Sequence, residues 1–480
     1  MRFPAFLMLA CMALAPRAMG QQALPDLGSA GDAALTPQTE RRLGEQIMRE
    51  IRFREPTFID DPEVTEYLEG LGARLQAGTG SRQQFEFFAL REPTVNAFAL
   101  PGGFIAVHTG LIALADTESE LASVLGHEMG HVMQRHIARQ LGLQQQMQIP
   151  VMAALAAAIL LGRARPDLAA GAVAGVQAGA VQTQLSYSRD FEREADRVGL
   201  QSLEAGGFDP SAMAAFFEKL QKSSRVSDDG TMPGYLRTHP ITFERIADAQ
   251  NKAAGMPYKQ HVDSPEFQLV RAKLRAEDGD PRDAVTHFDN LVREGRYASE
   301  SAARYGLASA LLRAKRPREA DAEMARVRAA GGKSPMIETL AARIKHARGE
   351  DAQALALLTA ARKQYPDSRS VLYAYVVQLQ EIGRNEDALA NLADPLRRYP
   401  HDASLRALQA KCYAALGKRL LQHQAQAELY VLQGSLPAAI EQLQLARNAG
   451  DGDFYQLSQV DARLKELRAQ YAMESRDAKR

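Results

Sequence analysis

In the C-terminal half of this chain a glycine, an alanine five residues on and a bulky apolar residue four beyond that recur at fixed offsets. Nothing else in the sequence limits the fold as tightly. Gly349, Ala354 and Leu358 lead to Pro366, and Gly383, Ala388 and Leu392 lead to Pro400 at the same spacing. Pro366 and Pro400 stand 34 residues apart, as do Gly349 and Gly383. Gly279/Ala284/Phe288 and Gly434/Ala439/Leu443 repeat the first three marks, and Lys315/Ala320/Met324 does so without the glycine. A period of this length fits two short helices joined by a turn, with alanine where helices touch and proline ending the second helix. One such hairpin cannot bury its apolar face alone, so successive hairpins must stack. An α-solenoid is expected over 261–480.

A chain of 480 residues also needs more than one core. Lys+Arg and Asp+Glu are both 58, so the net charge is zero and nucleic acid is excluded as the main partner. The N-terminus places Arg2 before an apolar run from Phe3 to Ala15, then Ala18-Met19-Gly20 as a small-x-small cleavage site. This reads as a secretory signal peptide over 1–20, too short to span a bilayer, and it points to the periplasm. Cys11 raises a lipoprotein alternative. Cleavage after Gly20 leaves Cys412 as the only cysteine, so no intramolecular disulfide is available.

Residues 21–260 form the other expected domain. Thr36-Pro37 and Asp61-Pro62 read as helix starts. The runs at 85–90, 95–100 and 104–110, separated by Glu92-Pro93 and Pro101-Gly102-Gly103, read as a small antiparallel sheet. The segment 149–181 is rich in Ala and Gly, but its longest apolar run, Ile149 to Gly162, is 14 residues. That is below the ~20 a spanning helix needs, so it reads as a buried hairpin, with a membrane-touching loop as the sharper alternative.

Chemistry enters with His127-Glu128-Met129-Gly130-His131. His127 and His131 are four residues apart, on one helix face, and can reach one ion. Glu128 is turned about 100° from His127, which suits a base acting on water at the metal rather than a ligand. A metzincin would continue with Gly and His where Gln134 and Ile137 stand, so that class is excluded. His136, on the far side of a continuous helix, is expected to be solvated. Downstream, Glu192 and Asp196 are also four apart: one can bind the metal while the other accepts from a ligating imidazole N–H. Glu194 is expected to face solvent.

The combination of "HEMGH", then "SRDFEREAD" about 60 residues on, preceded by "NAFALPGG" at 96–103, resembles the zinc peptidases that include HtpX and the CAAX prenyl proteases. The repeats behind the catalytic part resemble tetratricopeptide repeats, as in periplasmic members of that family. The resemblance implies a mainly α chain: a zincin-type α+β metalloprotease domain, then a tetratricopeptide-repeat solenoid. It implies one zinc ion per chain held by His127, His131 and Glu192, with Glu128 as base and Asp196 as supporting acceptor. It further implies an endopeptidase acting in quality control and assembly of outer-membrane proteins, its repeats recruiting unfolded or stalled clients and meeting the assembly machinery. The alternative is a chaperone or adaptor that rarely cleaves.

Three further residues are singled out. Asn96 and Phe98, on an expected sheet edge, are candidates to contact an extended peptide added as another strand. His239 is restricted by Pro240 to extended backbone, and relatives carry a histidine at the matching place. Two roles fit it: a donor to the oxyanion of the transition state, or a fourth ligand that latches the resting site. The latch is favoured.

Overall fold

The computed structural model describes residues 35–77, 79–143, 188–226, 234–257 and 261–477. The signal-peptide reading over 1–20, Cys11 and segment 149–181 lie outside them. Among the described residues no helix is long and apolar enough to cross a membrane.

Helices α1 (Pro37–Arg54) and α2 (Pro62–Gln76) begin where the sequence places them. The Thr36 side chain accepts from Thr39 N–H and the Asp61 side chain from Glu63 and Val64 N–H, with proline at the first helical position in each. Strands β1 (Glu86–Leu90), β2 (Ala97–Leu100) and β3 (Phe104–His108) form one sheet in the order β1-β3-β2. This departs from the all-antiparallel expectation: β3 is antiparallel to β2 but parallel to β1, with Glu86 opposite Phe104 and Leu90 opposite His108. The reason lies in β3, where every residue is buried. A strand covered on both faces takes the middle of a sheet. The turn at Gly102 and Gly103, both at positive φ, folds β3 back onto β2 and inserts it beside β1.

The short helix α3 (Thr109–Leu114) leads to α4 (Glu118–Met133), which carries the histidine motif. Then come α5 (136–143), α6 (188–206), α7 (Ser211–Val226), α8 (Gly234–Thr238) and α9 (Phe243–Ala254). Paired helices follow from Pro265 onward, as the 34-residue period requires. Ala284, Ala320, Ala354, Ala388 and Ala439 are buried, and so are Phe288, Met324, Leu358, Leu392 and Leu443. Gly279, Gly349, Gly383 and Gly434 adopt left-handed φ between 57° and 78° at the turns. Lys315, standing where the glycine is missing, takes the same conformation at φ 60°.

The two halves share one core. A single cluster of buried apolar side chains runs from Ile59 through Leu125 and Phe217 to Phe267, Tyr305 and Ile344. Polar contacts follow the same seam, because α2 lies against the first helices of successive hairpins. Glu63 accepts from Lys273 and Thr339, Glu66 from Ser368 and the Arg369 backbone, and Asp60 from Ser404. Lys273 is buried, so its pairing with Glu63 and Asp61 is the condition for its being there.

Candidate metal centre

Helix α4 is buried on all sides from Glu118 to Gly130. Its start is fixed by Thr117, whose side chain accepts from Glu120 N–H, with Glu118 and Glu120 in the first turn where the helix dipole favours acids. Small residues bring α6 against it. A Cβ on Gly130 would stand 2.9 Å from the Ala195 carbonyl oxygen, and one on Gly199 would stand 3.0 Å from the His127 backbone nitrogen. Only glycine permits this approach, and it sets Glu192 and Asp196 of α6 beside His127 and His131 of α4.

His127, His131, Glu192 and His239 each offer a ligand atom, all within 4.8 Å of one another. His131 Nε2 is 3.0 Å from His127 Nε2, and Glu192 lies 3.4 and 3.5 Å from those two nitrogens respectively. His239 Nδ1 is 3.0 Å from Glu192 Oε1 and 3.3 Å from His127 Nε2, while its Nε2 is 3.4 Å from Glu128 Oε1. Asp196 takes the outer position, with Oδ1 2.9 Å from His127 Nδ1. The four donors thus converge as three imidazoles and one carboxylate, a set that suits zinc. Glu128 Oε1 is buried without a hydrogen-bond partner, as an oxygen facing a cation's water would be.

Electrostatics agree with those roles. Burial disfavours charge on His127, but hydrogen bonds to Asp196 and Glu192 outweigh it and raise its pKa to about 9. Burial likewise opposes ionisation of Glu192, yet hydrogen bonds from His127, His131 and His239 hold it far below the carboxylate range. Burial pushes Glu128 up, towards the range where a carboxylate can both take and return a proton.

Two expectations are corrected. His136 is not solvated but buried, with its Nδ1 2.9 Å from His131 Nδ1. A continuous helix would turn it away, but α4 ends at Gln134, and Arg135 takes left-handed φ 53°, redirecting the chain before α5 begins. Arg135 is held there by bonds to Glu40 and the Leu35 carbonyl. Glu194 does not simply face solvent: its Oε2 lies 3.2 Å from His136 Nε2 and accepts from Arg139 at 2.8 Å.

The sequence reading missed Arg245 and Tyr235. Arg245 is buried and grips Asp196 through two bonds of 2.7 and 2.8 Å, while its Nη1 donates to the Pro240 carbonyl at 2.9 Å and stands 2.7 Å from Glu192 Oε2. Its spacing five residues after Pro240, inside the next helix, was the available signal. Tyr235 is fully buried, its ring centroid 4.7 Å from that of His239 and its hydroxyl unpartnered.

Of the two proposed substrate contacts, Phe98 sits on β2, the sheet's edge, but packs edge-on to His108 and against the cluster around Met48 and Phe88. Asn96 has a buried, unpartnered Oδ1, and its side chain lies beside Gly234 of α8, whose neighbour Tyr235 donates its backbone N–H to Val95.

Comparison with known proteins agrees with this geometry. Residues 60–253 match peptidase family M48, and residues 275–344 match a tetratricopeptide repeat family. The chain is 33% identical to the beta-barrel assembly-enhancing protease of Escherichia coli strain K12, over 93% of this chain and 91% of that one. Its counterpart in Yersinia pestis is also 33% identical, over 93% and 92%. The mitochondrial metalloendopeptidase OMA1 of Arabidopsis thaliana is 30% identical over 46% of this chain and 42% of its own.

Proposed function

This chain belongs to peptidase family M48, joined to tetratricopeptide repeats, and from that premise we propose that it is a zinc-dependent endopeptidase of the periplasm. In this reading it acts in the assembly and quality control of outer-membrane proteins; its relatives are named as proteases that enhance beta-barrel assembly. A signal peptide over 1–20 exports it, a catalytic unit spans 21–260, and the repeats of 261–480 recruit the clients. The observation that carries the reading is the convergence of His127, His131 and Glu192 beside an unpartnered Glu128 oxygen.

His127, His131 and Glu192 would hold one zinc ion, which supplies a Lewis acid for a peptide carbonyl and lowers the pKa of water. Asp196 fixes the His127 ring by accepting at Nδ1, leaving Nε2 to face the ion. Glu128 takes the proton of the attacking water and returns it to the leaving amine, a cycle its raised pKa favours. An extended substrate adds to the edge strand β2, beside the buried and unpartnered Oδ1 of Asn96. Phe98 serves that edge by seating the strand, given its packing on His108.

His239 is assigned the latch. Its Nδ1 lies among the ligand atoms, 3.0 Å from Glu192, so in the resting state it takes the position a substrate needs. A latched protease would cleave rarely, which accommodates the adaptor behaviour considered above. The test is metal analysis of the purified full-length chain together with casein cleavage by it and by Glu128→Gln. Zinc in both, with cleavage reduced about 10²–10⁴-fold in the variant, is expected. An unaltered chain without zinc, or a variant that cleaves normally, overturns the proposal.

A further inference from the structure

Each candidate zinc histidine must keep its proton on the nitrogen turned away from the ion. His127 has a carboxylate for that purpose. His131 has instead another imidazole, His136, and behind it Glu194.

The geometry fixes the direction of this chain of bonds. His131 Nδ1 and His136 Nδ1 are 2.9 Å apart, so between two neutral rings one must donate and the other accept. His136 Nε2 lies 3.2 Å from Glu194 Oε2, and a carboxylate only accepts, so His136 carries its proton on Nε2. Its Nδ1 is then the acceptor, and His131 Nδ1 must donate. That leaves the lone pair of His131 on Nε2, the atom that stands 3.0 Å from His127 Nε2 and 3.4 Å from Glu192 Oε1. The opposite tautomer of His131 would place a proton where the ion must bind.

The surroundings hold the arrangement still. His136 is 4% exposed and stacks on Phe191, with centroids 4.4 Å apart and planes 15° from parallel. Arg139 covers the same Phe191 ring at 4.6 Å and donates to Glu194 at 2.8 Å. Phe191 directly precedes Glu192, so the ring supporting His136 is tied to the third ligand.

We propose that His136 and Glu194 are positioning residues that set the tautomer and orientation of His131 for metal binding, through a two-step relay of hydrogen bonds. The proposal rests on the zinc-site reading above. Loss of an outer hydrogen-bond partner lowers metal affinity about 10–100-fold in such sites.

The experiment measures zinc affinity of the full chain by chelator competition, with thermal unfolding of the metal-free form as the control for packing. His136→Phe keeps a ring to stack on Phe191 but removes the acceptor, and should weaken zinc about 10–100-fold. His136→Asn, whose amide oxygen sits near the Nδ1 position, should bind within about 3-fold of the unaltered chain, since it keeps the acceptor. Should His136→Phe not fold, His136→Gln carries the same expectation, because its amide reaches the Nε2 position instead. Unchanged affinity in His136→Phe or His136→Gln overturns the relay while leaving the zinc site intact. Equal weakening in His136→Asn and His136→Phe also overturns it, by showing that the ring acts through packing. An unaltered chain that binds no zinc overturns the site reading and the relay together.

Discussion

Raising the pH should weaken the metal-free protein and spare the zinc-loaded one. In the metal-free chain burial works against a charged His127, but Asp196 and Glu192 outweigh it and hold its pKa at about 9, against ~6.5 in an unfolded chain. A group raised on folding contributes stability that is complete below about 6.5 and lost as the pH climbs through about 9. The difference corresponds to about 3 kcal/mol, with no reduction for solvent because His127 is wholly buried. Below about 6.5 the sign reverses. Burial holds His131 at about 3 and His136 at about 4, so the unfolded chain takes up protons that the folded one refuses. The metal-free protein should therefore be most stable near pH ~6.5 and decline on both sides. An ion on His127 occupies the lone pair the proton would use, so the alkaline decline should vanish when zinc is restored. Urea unfolding of chelator-stripped and reconstituted protein across about pH 5 to 10 measures both limbs. Equal stability of the stripped protein at about pH 7 and 9.5 would refute the claim that the two carboxylates keep a proton on His127.

Other substitutions probe the same framework. Arg245→Met leaves Asp196 and Glu192 buried without their guanidinium, which should cost about 3–5 kcal/mol in the metal-free protein; a loss below about 1 kcal/mol in urea unfolding would show that Arg245 is not their counter-charge. Glu192→Ala should lose zinc almost completely by metal analysis while keeping the fold, and full zinc occupancy would remove Glu192 from the ligand set. His239→Ala should retain zinc and cleave casein faster, with self-cleavage on a gel; a slower, zinc-loaded variant assigns His239 the donor role instead. Cutting the chain at 260 should give an aggregating or unfolded catalytic half, because the cut exposes the core shared with Phe267, Tyr305 and Ile344; a soluble, zinc-binding fragment would show that the seam is dispensable.

Periodic features of this fold were legible in the sequence and its contacts across space were not. The 34-residue marks told which faces of the repeat helices are buried, because burial follows helical phase and phase is written in the order of residues. Lys315, at the phase where the other units carry glycine, takes the same turn conformation. The histidines of α4 and the acids of α6 were readable for the same reason, being one helical turn apart. The order of the sheet was not, since β3 reaches the centre through packing on both faces rather than through any alternation of its own. Nor was the seam between the halves, where Glu63 meets Lys273 and Thr339 across more than 200 residues.

His136 departs from the direction its helical phase would give it. Five residues beyond His131 on an unbroken helix, a side chain does point away. One residue at positive φ, Arg135, breaks the helix and returns the ring to the site. A non-glycine residue in that region costs roughly 1–2 kcal/mol and persists only where its neighbours compensate. Here Glu40 and the Leu35 carbonyl, about 100 residues earlier in the chain, hold the Arg135 side chain. The support of a candidate metal ligand therefore depends on the anchoring of α1, at the start of the described chain. Sites of this kind are specified twice: locally, by the spacing of their ligands, and globally, by the contacts that bend the chain until those ligands face one another.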